Sequence, residues 1–182
     1  LILDGPLGTM IQKAKLSEDD FRGGRFKNFK KLLKGNNDIL NLTNEKLIYD
    51  IHYSYLKAGA NIIATNTFNS TMTSQKDYEF QEYSFELNYA GAKIARKSVD
   101  DFKKKNPNDF ILVAGVLGPT NRTCSISPDV NNPGFRNISF DELCEDYEVS
   151  INALIKGKVD LIMIETVFDT LNAKAALMAI KN

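Results

Sequence analysis

Four short apolar runs, each stopping abruptly at polar residues, constrain this chain most. They are Leu1–Leu3 ending at Asp4-Gly5, Asn61–Ala64 ending at Thr65-Asn66-Thr67, Phe110–Leu117 ending at Gly118-Pro119, and Val159–Ile164 ending at Glu165-Thr166. Each is too short and too apolar for a half-exposed hairpin strand, and suits a parallel strand buried on both faces. Between them lie stripes at i, i+3, i+4 and i+7 spacing, as expected of helices packed on a sheet. The first is Leu47, Ile48, Ile51 and Tyr55, capped by Thr43 or Asn44. The second runs Leu87, Ala90, Gly91, Ile94, Ala95, Ser98 and Phe102. The third runs Phe140, Leu143, Cys144, Tyr147, Ile151, Leu154 and Ile155, and stops at Gly157. A last helix begins near Thr170. Residues 11–42, polar and charged, stand outside the alternation as an excursion after the first strand.

The fold class is therefore α/β. Four strand–helix units suit a small open sheet or about half of a parallel (β/α)8 barrel, which takes about 250 residues when complete. A start inside a strand and an end inside a helix favour the barrel, with residues 1–182 as one partial domain.

In parallel α/β folds the site lies at the carboxyl ends of the strands. Those ends bring Asp4, Gly5, Asn66, Thr120, Asn121 and Glu165 into consideration. Two acids from different strands suit acid–base work or the grip on an ammonium group. Each acid also suits the cap of a following helix. The long polar loop 118–138 reads as part of a binding mouth. Gly5-Pro6-Leu7-Gly8 lacks the residues of a phosphate loop.

Other chemistry is scarce. The chain has two cysteines and one histidine. Cys144 falls on a buried stripe, His52 at the edge of one, and Cys124 in the long loop within reach of the mouth. Zinc catalysis commonly needs three protein ligands, and no such set is evident. Lys plus Arg and Asp plus Glu each number 23, so there is no basic excess for a nucleic-acid partner. The run Lys27, Lys30, Lys31, Lys34 reads as a solvated face. No apolar run approaches the ~20 residues that span a bilayer. Two cysteines make no disulfide framework, and a cytoplasmic setting is expected.

The motifs DGPLGTMIQ (4–12), NNDILNLT (36–43), AGANIIATNTFNST (58–71), VAGVLGPTNRT (113–123), SPDVNNPGFRN (127–137) and DLIMIETVFDTLNAK (160–174) together resemble the homocysteine-binding barrel of cobalamin-dependent methionine synthases. The DG, TNTF, GP and ET skeleton is similar to all homocysteine S-methyltransferases, and the long loop with ETVFDTLNAK is similar to the cobalamin group. The resemblance implies a methyltransferase of methionine biosynthesis, in which a homocysteine thiolate on zinc takes a methyl group from methylcobalamin. Its partners are homocysteine and the folate- and cobalamin-binding domains of the same polypeptide. It implies substrate contacts at Asp4, Gly5 and Glu165, with Asn66, Thr120 and Asn121 lining the same mouth. Acids suit the ammonium of homocysteine, and main-chain N–H groups its carboxylate. The family's zinc cysteines would lie beyond Asn182, so no catalytic or metal-ligating residue and no bound cofactor is expected within these residues. Pro6 stands where relatives often carry Gly or Ala, and Ala64 where many carry Glu. A betaine- or S-methylmethionine-dependent enzyme, or an inactive small-molecule-binding module, remains the alternative.

Overall fold

The computed structural model describes all of residues 1–182. Its sheet has three strands in the order β1 (Ile62–Ala64), β2 (Leu112–Leu117), β3 (Leu161–Ile164), all parallel. The expected first strand at 1–4 is reduced to a single parallel bridge from Leu3 to Ile62. Main-chain bonds from Ile62 N–H to Ile2 O (3.1 Å) and from Asp4 N–H to Ile62 O (2.9 Å) hold it beside β1. It pairs on one side only, and Leu1, Ile2 and Leu3 stay 77%, 64% and 46% exposed, contrary to burial on both faces. Among the other strands that expectation holds for β2 alone; every residue of β3 is only half-buried.

The helices are α1 (Leu7–Lys13), α2 (Glu18–Arg22), α3 (Leu40–Thr43), α4 (Glu45–Lys57), α5 (Met72–Gln75), α6 (Ser84–Lys103), α7 (Phe140–Lys156) and α8 (Thr170–Lys181). Local chemistry fixes where they begin. The Asn44 side chain accepts the Leu47 N–H, opening α4. Ser139 and Glu142 form a capping box for α7. Asp169 accepts the Leu171 and Asn172 N–H groups and opens α8.

Alternation along the strands creates two faces. Ile63, Val113, Leu117 and Ile162 pack into apolar clusters with residues of α4, α6, α7 and α8. Their neighbours Leu3, Ala64, Val116 and Met163 instead line a cavity. Two clusters cover the helix side, and a third joins the excursion to α4 and α6 through Phe21, Phe26, Leu33 and Phe80.

The excursion is built onto the fold. Asn36 and Gln75 exchange side-chain amide bonds of 2.7 and 3.2 Å. His52 differs from its expected edge position: it is fully buried, with both ring nitrogens unpartnered, because it sits one turn from both Ile48 and Leu56 on the buried face of α4. Lys27, Lys30, Lys31 and Lys34 are exposed, as a solvated face should be.

Candidate functional site

A cavity of about 380 Å³ opens at the carboxyl ends of the strands. The first turn of the chain supplies Asp4, Gly5 and Pro6, the end of β1 supplies Asn66, and the end of β3 supplies Glu165. Four of the six residues expected at a mouth are thus brought together.

Asp4 is doubly constrained. Its N–H belongs to the pairing with Ile62, and its Oδ2 accepts the Ala64 N–H at 3.0 Å. Burial pushes its carboxyl up to about 7, opposed by the Ala64 N–H and reinforced by the charge of Glu165. Burial also raises Glu165. A buried carboxylate is costly without a positive partner, and neither Lys, Arg nor His lines the cavity. The cavity's charged side chains are thus all acidic.

Gly5 has a packing reason. A Cβ there would stand 2.8 Å from Cε1 of Tyr55, whose hydroxyl donates to Pro6 O at 3.3 Å. Beyond the end of β1, side chains extend the ladder. The Val116 N–H donates to Thr65 Oγ1 and the Thr67 hydroxyl to Val116 O, each at 2.9 Å. Asn66 is nearly buried, and both amide hydrogens are used, to Asn37 O (2.9 Å) and Asn41 Oδ1 (3.1 Å). Its amide scaffolds the wall.

Thr120 and Asn121 do not line the cavity. Thr120 is buried against Arg122 O and the Asn172 amide. Asn121 is exposed and pairs with Asp77. No residue of the loop 118–138 reaches the cavity; its chain turns away to α8, where the Cys124 N–H meets Asn172 Oδ1 at 2.9 Å. Cys124 is buried there, away from the mouth.

The excursion contributes a residue not anticipated from sequence, Asp38. It lies in the cavity wall, 2% exposed, and burial pushes its carboxyl up to about 6. One oxygen, Oδ2, accepts the Asn69 N–H (2.7 Å) and the Ser70 hydroxyl (2.8 Å), fastening the loop after β1. The only sequence signal was three polar residues, Asn36-Asn37-Asp38, set against Ile39-Leu40.

No three Cys, His, Asp or Glu side chains converge as a metal-holding group. Cys124, Cys144 and His52 are all buried, and none lines the cavity.

The family model for homocysteine S-methyltransferase matches residues 1–182. The chain belongs to the homocysteine S-methyltransferase family. Its fold matches the crystal structure of the homocysteine methyltransferase MmuM from Escherichia coli in three forms. The metallated form gives a TM-score of 0.74 at 22% identity, covering 100% of this chain and 59% of that one. The oxidised form gives 0.72 at 21% identity, covering 100% and 57%. The apo form gives 0.68 at 20% identity, covering 100% and 54%. The chain thus spans under three-fifths of those chains, and the likeness is one of fold. It has the parallel α/β architecture of a homocysteine methyltransferase. No helix is long and apolar enough to cross a membrane.

Proposed function

We propose that the cavity binds the amino-acid end of homocysteine, and that residues 1–182 form the substrate-binding part of a (β/α)8 barrel whose remaining strands lie outside them. The observation that carries this reading is the cavity's lining of Asp4, Asp38 and Glu165 without one basic side chain. An ammonium group supplies the missing charge and three N–H donors. Gly5, Leu7 and Gly8 bring main chain to the same wall, beside the space for the ligand's carboxylate.

We further propose that the protein is a methionine synthase of the cobalamin-dependent kind. The motifs GPTNRT (118–123), SPDVNNPGFRN (127–137) and ETVFDTLNAK (165–174) favour methylcobalamin over betaine or S-methylmethionine as donor. The folate- and cobalamin-binding domains of the same polypeptide would then be its partners, in the cytoplasm. Zinc would supply the charge that favours the homocysteine thiolate. The residues here do not fit a zinc ligand set, and on this reading its ligands come from elsewhere in the polypeptide. The task of residues 1–182 is to bind and orient the amino acid in a walled cavity.

The test is methyl transfer by the full-length polypeptide. Labelled methylcobalamin, betaine and S-methylmethionine are offered separately with homocysteine, and zinc is measured in the same preparation. Label in methionine from methylcobalamin alone supports the assignment. Transfer from either other donor alone refutes the cobalamin reading, and no binding of homocysteine refutes the family's activity for this protein.

A further inference from the structure

Glu165 reaches the cavity with no side-chain hydrogen bond to hold it there; burial is the sole cause of its raised carboxyl. Its direction is therefore set by the main chain. On one side the Glu165 N–H donates to Leu117 O at 3.2 Å, continuing the pairing of β2 with β3. On the other side stands Thr166, with φ of 58°.

A left-handed backbone is a true outlier for a β-branched residue. Three other non-glycine residues, Lys15, Glu79 and Lys158, also have positive φ. Each of those ends a helical segment, where a left-handed residue is the ordinary stop. Thr166 follows a strand, and no helix termination accounts for it. It is exposed and its hydroxyl has no partner, so nothing in its own side chain offsets the strain.

The strain is held from both ends. Upstream is the Glu165–Leu117 bond. Downstream, the Asp169 carboxylate accepts the N–H groups of Ser125 (3.0 Å) and Leu171 (2.8 Å). Only Thr166, Val167 and Phe168 bridge the two anchors, and all three are exposed. Sparsely populated backbone persists where the surroundings over-determine it.

We infer that Thr166 is a positioning residue, whose left-handed backbone turns the chain so that the Glu165 carboxylate enters the cavity. The tie from Asp169 to Ser125 keeps the turn closed, which makes the long loop a support for the site although it does not line it. This deepens the assignment of Glu165 to the ammonium of homocysteine, but the placement of Glu165 stands on its own.

Two variants test it. Thr166→Pro fixes φ near −65° and so excludes the left-handed conformation, and the Thr166 N–H it removes has no main-chain acceptor. Thr166→Asn keeps a residue that tolerates the left-handed region. Two readouts are taken: titration of the Glu165 side-chain carbon by NMR, and homocysteine affinity by calorimetry. In Thr166→Pro the Glu165 titration should move down toward that of an ordinary glutamate, and homocysteine affinity should fall at least fivefold. In Thr166→Asn both should stay at the parent values. An unchanged Glu165 titration in Thr166→Pro would overturn the inference. A change of equal size in both variants would overturn its backbone basis. If the titration responds as expected but the parent binds no homocysteine, the positioning role stands and the substrate assignment fails.

Discussion

Asp4 and Glu165 enter one cavity from opposite edges of the parallel sheet, and the charge of Glu165 helps raise the Asp4 carboxyl. Asp4 is anchored beside β1 and Glu165 at the end of β3, with β2 between them. Two half-buried acids held near each other destabilise the fold when both are charged, and the ammonium proposed to bind there would relieve both.

That relationship sets a pH dependence. Asp4 has its carboxyl raised from 3.8 to about 7, so its favourable contribution to folding is complete below pH 4 and lost as the pH rises through 7. Asp4→Asn retains an acceptor for the Ala64 N–H and removes the charge. Its melting temperature without ligand should exceed the parent's at pH 8, and the difference should shrink toward pH 5. A lower melting temperature for Asp4→Asn at pH 8 would contradict the strain assigned to this pair.

His52 acts in the opposite sense. Burial lowers it from 6.5 to about 4, so the folded state binds fewer protons than the unfolded chain between those values. Stability assigned to His52 is complete above pH 6.5 and is lost as the pH falls toward 4. The loss is about 3 kcal/mol, because each tenfold change in proton affinity is worth about 1.4 kcal/mol. His52→Leu should flatten this part of the urea-denaturation profile. An equally steep acid loss in the variant would refute the assignment.

Asp146 ties α7 to the chain after β1. Its two oxygens accept the Met72 and Thr73 N–H groups, each at 2.7 Å, in a buried position. Asp146→Ala should cost about 3 kcal/mol by chemical denaturation, since two charge-assisted bonds are lost and two donors are orphaned. A cost below about 1 kcal/mol would show that water replaces the carboxylate readily.

Gly118 lies where two segments touch. A Cβ there would fall 2.2 Å from Phe68 O, and Phe68 lines the cavity. Gly118→Ala must move one backbone or the other. It should destabilise by at least about 2 kcal/mol and weaken ligand binding with it. Parent-like stability, measured by thermal unfolding, would show that the contact yields.

The sequence announced β2, β3 and the long helices well because their signals are local. The apolar run at 112–117 and the stripes of α4, α6 and α7 come from neighbouring residues alone. Leu1–Leu3 carry the same apolar signal, but burial depends on a partner on each side, and they have only β1. The role of Asp38 was hidden for a related reason. It is expressed through Asn69 and Ser70, more than thirty positions away. The burial of His52 was hidden because a titratable ring beside an apolar stripe reads as its edge, whereas Ile48 and Leu56, each four residues away, put it inside the one buried face of α4. Thr120 and Asn121 follow a strand end just as Asn66 and Glu165 do. What separates them is the direction of the loop after Gly118, whose carbonyl accepts the Tyr147 hydroxyl at 3.1 Å.

Calorimetric titration of homocysteine into the parent and into Glu165→Gln, at pH 6 and pH 8, tests most directly whether Asp4 and Glu165 hold the ammonium of homocysteine. The parent should show one saturable site, tighter at pH 8 than at pH 6, because a proton on Asp4 competes with the ammonium. Glu165→Gln should lose about tenfold or more in affinity, the size expected for one charge-assisted hydrogen bond. Equal affinity in the two proteins, or tighter binding at pH 6, would contradict this assignment.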